Sequence, residues 1–236
     1  TPIWLEIPDT ARKILQRIGA VLDFAHIKGW REEEAALRSV RKGLPRQTDK
    51  VEHFKAMPYA DIPAFMKELA SASPTTGRDA LRFTIYNAVR SSETRKAVWT
   101  EFDLDKAVWT IPGVRMKAKE THVVPLSKAA VSILRRRWKL RTSDDGLVFS
   151  NNGEKPISDM TMTKLLRDTG IKGATVHGFR SAFTDWAAEK TDFPKEVADK
   201  ALAHKLSNQV EAAYRRTDFF EKRRELMALW AGFLNT

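Results

Sequence analysis

The chain has 236 residues, of which 42 % are apolar and 30 % charged, and no cysteine; it can hold one large domain or a small one joined to a larger one. Disulfides, thiolate metal sites and a cysteine nucleophile are excluded, and the composition fits a reducing cytoplasm. No segment approaches the ~20 apolar residues of a membrane helix and no secretory leader is visible, while a net charge of +11, divided +3 and +8 about residue 60, suits a phosphate-rich partner held from two sides.

Residues 10–28 read as a helix, with Asp9 or Thr10 as cap, Ile14, Ile18, Val21, Leu22 and Ala25 as an apolar stripe and Gly29 as terminator. A shorter helix around 32–40 follows, and Gly43-Leu44-Pro45 breaks the pattern. The polar text from 41 to 58 has no sustained period and reads as a linker. The piece before it reads as the surviving half of a small helical domain whose beginning is missing. Asp61 can cap a helix that buries Ile62, Phe65, Met66 and Leu69, and another follows Pro74 with Leu81, Ile85, Ala88 and Val89 at helical spacing. Then the period changes. Residues 107–111 and 122–125 are short β-prone runs joined by a cationic segment with Gly113, Arg115, Lys117 and Lys119, which predicts a hairpin. Residues 147–149 read as a third strand or a strand-like stretch.

The remainder is helical: 127–138 capped by Ser127, 158–169 capped by Ser158 and closed by Gly170, 177–190, 194–204 opened by Pro194, and 208–215. A last helix from Asp218 buries Phe219, Leu226, Trp230 and Phe233, and Phe220 and Trp230 on it are read as a contact with a neighbouring subunit. Lys-Ala-Val-Trp-Thr occurs at 96–100 and again at 106–110. The first copy should end a helix and the second should be strand, so the repeat is read as chance. The dense run Arg135, Arg136, Arg137, Lys139 and Arg141 reads as a solvated helix face. The fold class expected is mixed α+β, mainly helical, with a small antiparallel hairpin or sheet on a helical body, preceded by a partial helical domain.

Cleaving a phosphodiester without a metal takes a nucleophile, cations for the charge of five-coordinate phosphorus, and an acid for the departing oxygen. No spacing of carboxylates or histidines suggests a metal site. The most specific piece is His177-Gly178-Phe179-Arg180, where an imidazole and a guanidinium fork three residues apart suit two oxygens of one phosphate. Alone, an ordinary capped helix is the better explanation of it. Around it stand Arg90-Ser91-Ser92-Glu93, Lys117 eight residues before Pro125, and Leu202-Ala203-His204 ten residues before Tyr214. Val210-Glu211-Ala212-Ala213-Tyr214-Arg215-Arg216 follows.

Together and in this order these residues resemble the tyrosine recombinases, especially integrases of bacteriophages and genomic islands, over nearly the whole chain. The resemblance puts the family's first arginine on Arg90 and its orienting acid on Glu93, the hairpin lysine on Lys117, the second box on His177 and Arg180, the later imidazole on His204 and the nucleophile on Tyr214. Thr94, Arg95 and Ala97 depart from the leucines expected after the first arginine, and Lys119 is a near neighbour of Lys117. In the implied chemistry Tyr214 attacks phosphorus with His177 as base and Arg90 and Arg180 on the non-bridging oxygens. His204 hydrogen-bonds the phosphate and Lys117 protonates the departing 5′ oxygen, leaving a 3′-phosphotyrosyl link.

That link conserves the ester energy, so no metal, ATP or other cofactor is implied. The resemblance implies residues 1–45 as the C-terminal part of a helical core-binding domain, 46–59 as linker and 60–236 as catalytic domain. The implied partners are double-stranded DNA at attachment sites, three further copies in a tetramer passing through a Holliday junction, and accessory DNA-bending proteins, all in the bacterial cytoplasm with no membrane. Two rivals stand beside this reading: a type IB topoisomerase that relaxes supercoils with the same chemistry, and a DNA-binding relative without catalysis. Tyr86 reads as core and Tyr59 falls in the linker region; His26, His53 and His122 have no arguable role, and Trp30, Trp99, Trp109, Trp138 and Trp186 read as core or interface.

Overall fold

The computed structural model describes residues 2–48, 56–171, 173–204 and 218–236. The chain divides into two compact units, Thr1–His53 and Phe54–Thr236. Tyr214 and the helix expected at 208–215 lie outside the described residues, as does much of the expected linker.

The first unit has three helices, α1 (Pro2–Glu6), α2 (Pro8–Ile27) and α3 (Leu37–Gly43). Pro8 opens α2, where a missing N–H costs nothing. Leu37 sits so close to Gly19 that a Cβ there would lie 2.1 Å from its Cδ1. The end of the unit folds back on its start, with Trp4 Nε1 donating to the Pro45 carbonyl at 2.7 Å and Gln47 Nε2 to the Trp4 carbonyl at 2.6 Å. Only Ala11 and Gly19 of α2 are buried. The stripe of Ile14, Ile18 and Val21 is therefore exposed among the described residues, Val21 at 67 %.

The second unit packs helices around a three-stranded sheet. α4 (Ile62–Ser71) buries Ile62, Phe65, Met66 and Leu69, the face its spacing predicts. α5 (Thr76–Asn87) starts at Thr75, whose hydroxyl accepts from Arg78 N at 3.2 Å, and ends at Ala88, a left-handed residue with φ 49°. α6 (Ser91–Arg95) follows, then β1 (Phe102–Asp103), β2 (Val108–Ile111) and β3 (His122–Pro125) in an antiparallel sheet of that order. Trp109 pairs with Phe102 on one side and Val124 on the other. The hairpin is where the sequence puts it. Residues 147–149 are a strand-like stretch and not a strand of the sheet: Leu147 bridges Val98, and β1 takes the third sheet position. Val148 and Phe149 are apolar because they are core, not because they belong to the sheet.

α7 (Lys128–Trp138) and α8 (Asp159–Asp168) start at Ser127 and Ser158, both of which accept cap hydrogen bonds. α9 (Gly178–Lys190), α10 (Lys195–Ala201) and α11 (Phe220–Leu234) complete the unit. In the basic run, Arg137 departs from a solvated face: it is buried, and its guanidinium donates to the carbonyls of Val148 and Ser150. Two aromatic clusters fill the core, Phe83, Phe102, Trp109 and Phe149 under the sheet, and Phe183, Trp186, Trp230 and Phe233 under α11. Trp230 is 0 % exposed and its Nε1 donates to the Ile85 carbonyl at 2.9 Å. Its bulk is used inside its own domain, which overturns its reading as a surface for a neighbouring subunit. No described helix is long and apolar enough to cross a membrane.

Candidate active site

Four helix ends of the second unit meet at one place. α5 ends in left-handed Ala88, and two residues later Arg90 stands at the N-cap of α6. Glu93, 3 % exposed, reaches back to Arg90 twice: one carboxylate oxygen accepts from the Arg90 backbone N–H at 2.8 Å, the other from Nη1 at 2.7 Å. A glutamate at the third helical position is well placed for the first bond, and the second aims the guanidinium.

Arg180, on the first turn of α9, is 4 % exposed. Nη1 donates to the Ala88 carbonyl at 2.6 Å and Nη2 to the Leu202 carbonyl at 2.7 Å, just past the end of α10. Ala203 beyond it is again left-handed, with φ 49°. Arg180 makes no ion pair among the described residues, and its Nε is buried without a partner. Burial, then the charge of Arg90, pull its pKa down to about 10 against the opposing pull of Glu93. An uncompensated, half-satisfied cation beside a second one is a site that favours an anion.

Two imidazoles border it. His204 Nε2 lies 3.3 Å from Arg180 Nη2, and Nδ1 lies 3.3 Å from Asp199 Oδ1. With Nδ1–H given to the carboxylate, Nε2 is left as the acceptor facing Arg180. His177 is the N-cap of α9, not a residue within it, and its ring is exposed. Its pKa is lowered, by desolvation first and then by Arg180, Arg90 and His204, which suits a proton acceptor at neutral pH. Arg90, Glu93, His177, Arg180 and His204 are thus brought together.

Lys117 is exposed in the β2–β3 connection, and Tyr214 is outside the described residues. The neighbours of the cluster include residues that the sequence left without a role. His122, first residue of β3, places Nε2 3.2 Å from the Ala201 carbonyl, and burial, then Arg223, push its pKa down to about 4. Arg223, 2 % exposed on α11, donates to the Val123 carbonyl at 2.6 Å and to Asp218. Arg115 donates to the Glu101 carboxylate and to the Glu93 carbonyl. Apart from the opening position of His122 on a strand, no local signal announces them, because the backbone carbonyls of Ala201, Val123 and Glu93 that they reach are distant in the chain. Among the described residues no three His, Asp or Glu side chains are grouped to hold a metal ion.

Comparison with known proteins gives the class and then the family. The fold is that of lambda integrase: a dimer of its residues 75–356 bound to a COC' core site superposes with a TM-score of 0.62 at 15 % identity, over 84 % of this chain and 72 % of that one. A lambda integrase tetramer bound to a Holliday junction gives 0.62 at 15 %, over 85 % of this chain and 60 % of that one. Residues 55–221 match the profile of the Phage integrase family, and the integrase of Enterobacteria phage P4 is 33 % identical over 96 % of this chain and 55 % of its own length. The chain belongs to the phage integrase family of tyrosine recombinases. It spans about half the length of the curated relatives it matches.

Proposed function

We propose that this chain is the catalytic part of a site-specific integrase, a DNA strand-transferase that cuts and rejoins DNA through a 3′-phosphotyrosyl link at Tyr214. The observation that carries this reading is Arg180, buried between two backbone carbonyls with no ion-pair partner among the described residues and flanked by Arg90, His177 and His204. A scissile phosphate is the anion that such a pair of guanidiniums fits, each fork taking a non-bridging oxygen. As the tyrosyl oxygen bonds to phosphorus, His177 takes its proton; as the bond to the 5′ oxygen breaks, Lys117 supplies one. The guanidiniums matter most at five-coordinate phosphorus, where charge is greatest. A donor of this kind lowers the barrier by on the order of 3 kcal/mol, and its position costs nothing at the moment of reaction because Ala88 and Leu202 have already fixed it.

The substrate is duplex DNA at an attachment site in the bacterial cytoplasm. The two lambda integrase assemblies support a dimer on a core site and a tetramer on a junction as the working states here. Both units carry positive charge, and we assign residues 1–45 to one half of a clamp around DNA, 46–59 to the linker and 60–236 to the catalytic half.

The experiment is covalent trapping on a nicked duplex carrying the attachment core of the parent element, in chelator, with wild type and Tyr214→Phe. A covalent band from wild type alone is the expected result. A band from both would move the nucleophile off Tyr214. Intact DNA binding with no band from either would leave a DNA-binding relative without catalysis, and relaxation of a plasmid lacking the site would favour the topoisomerase rival.

A further inference from the structure

The β2–β3 connection is folded tightly and tied down. It opens with a turn at Gly113–Arg115, and Gly113 lies against the backbone of Lys119, where a Cβ would stand 2.6 Å from the Lys119 carbonyl oxygen. Lys119 itself is left-handed, with φ 63°, and its N–H donates to the Met116 carbonyl at 3.1 Å. Met116 is buried in the core, so the loop cannot swing freely about its ends. Beside it Arg115 extends a guanidinium in two directions. Nη1 meets the buried Glu101 carboxylate, which also accepts from Trp109 Nε1 at 2.9 Å. Nη2 donates to the backbone carbonyl of Glu93 at 2.5 Å.

The second bond is the informative one. Glu93 is the residue whose carboxylate aims Arg90, so one guanidinium joins the loop that bears Lys117 to the turn that bears Arg90. An ion pair serving only to hold the sheet would need Glu101 alone. Lys117, by contrast, is exposed and makes no hydrogen bond or ion pair with the described residues. A flexible lysine can deliver a proton on time only if its backbone is registered against the phosphate that the arginines hold.

We infer that Arg115 is a positioning residue that registers the Lys117 loop against the Arg90–Glu93 turn and thereby sets where the acid stands. The inference rests on the reading of Lys117 as the acid. Its test uses that dependence. When the 5′ bridging oxygen of the substrate is replaced by sulfur, the departing thiolate needs no proton, so a defect confined to the acid disappears.

Single-turnover cleavage of nicked duplexes with oxygen or sulfur at that position is measured for the full chain, for Lys117→Ala, for Arg115→Lys, and for Arg115→Met combined with Glu101→Gln. The paired change leaves no buried carboxylate unmatched. The Arg115→Met pair is expected to cleave the oxygen substrate roughly ten- to a hundredfold more slowly at unchanged DNA affinity, and to recover most of that loss on sulfur, as Lys117→Ala does. Arg115→Lys, which keeps one contact at most, should fall between and be rescued likewise. Equal slowing on both substrates, with Lys117→Ala rescued, would show a structural role only and overturn the inference while sparing the acid. Failure of sulfur to rescue Lys117→Ala would overturn both.

Discussion

Arg180 and His122 both reach carbonyls at the end of α10 and show how a residue's surroundings decide its charge. Arg180 keeps its proton despite burial, since a pKa lowered to about 10 leaves it cationic at neutral pH. His122 does the reverse. Desolvation and the nearby Arg223 and Arg180 outweigh the pull of Glu93 and the Ala201 carbonyl, so the ring stays neutral down to about pH 4. In the unfolded chain it would titrate near 6.5. Between those values the unfolded state binds more protons, so the contribution of His122 to stability is full above pH 6.5, is lost as pH falls, and levels off below pH 4. At pH 4.5 the loss should be about 2 kcal/mol. Urea unfolding of wild type and His122→Gln at pH 7 and 4.5 checks this: the gap between the proteins should shift by that amount in favour of the glutamine, and an equal gap at both pH values would refute it. The motif His177-Gly178-Phe179-Arg180 is legible because its chemistry lies within one turn of chain. Arg115, Asp199 and His122 are not, because Arg115 and His122 bind backbone carbonyls 22 and 79 residues away, and a carbonyl has no letter in the sequence.

Helix bodies and caps largely follow from the sequence in this chain, and the end of α10 does not. The face of α4 and the serine caps of α7 and α8 are where the sequence puts them. The end of α10 is misjudged by three residues, since the helix stops at Ala201 and not at 204. The reason is that Ala203 takes the left-handed turn that glycine or asparagine usually signals, and Ala88 does the same at the end of α5. Both ends supply the carbonyls that grip Arg180 or stand next to them, so strain has been accepted where the site is built. Ala203→Gly removes the Cβ clash, worth about 1–2 kcal/mol, against about 0.5–1 kcal/mol of extra chain entropy. A net gain of about 0.5–1 kcal/mol in the thermal unfolding of the second unit is expected, with Ala203→Val moving it the other way. A loss with glycine would mean that the methyl's packing outweighs the strain. The repeated pentapeptide shows the limit of local reading: its first copy ends α6 and enters a turn, while its second runs into β2, and only the packing of Trp99 against Trp138 and of Trp109 against Phe102 separates them.

Across the whole molecule the two units differ in what they contain. Among the described residues the hydrophobic core of the second unit runs from Met57 to Leu234. Charge is also uneven: residues 1–53 hold 10 Lys and Arg against 8 Asp and Glu, and residues 54–236 hold 31 against 22. A unit of +2 with its apolar stripe exposed would add little attraction to DNA by net charge; as half of the proposed clamp it would add individual phosphate contacts instead. These two ideas give different salt dependences, since each phosphate neutralised steepens the fall of log K with log salt by about 0.9. A fragment of residues 54–236 should melt with the full chain's second unit, having the same core, and should bind an attachment-site duplex with a slope shallower by about 2 or more if residues 1–53 touch at least two or three phosphates. Binding isotherms between about 50 and 200 mM salt span the range in which such a difference is largest. An unchanged slope would take residues 1–53 off the DNA and leave recognition to the catalytic unit. A lower melting point would show instead that the second unit leans on the first, and the clamp would have to be redrawn as one body.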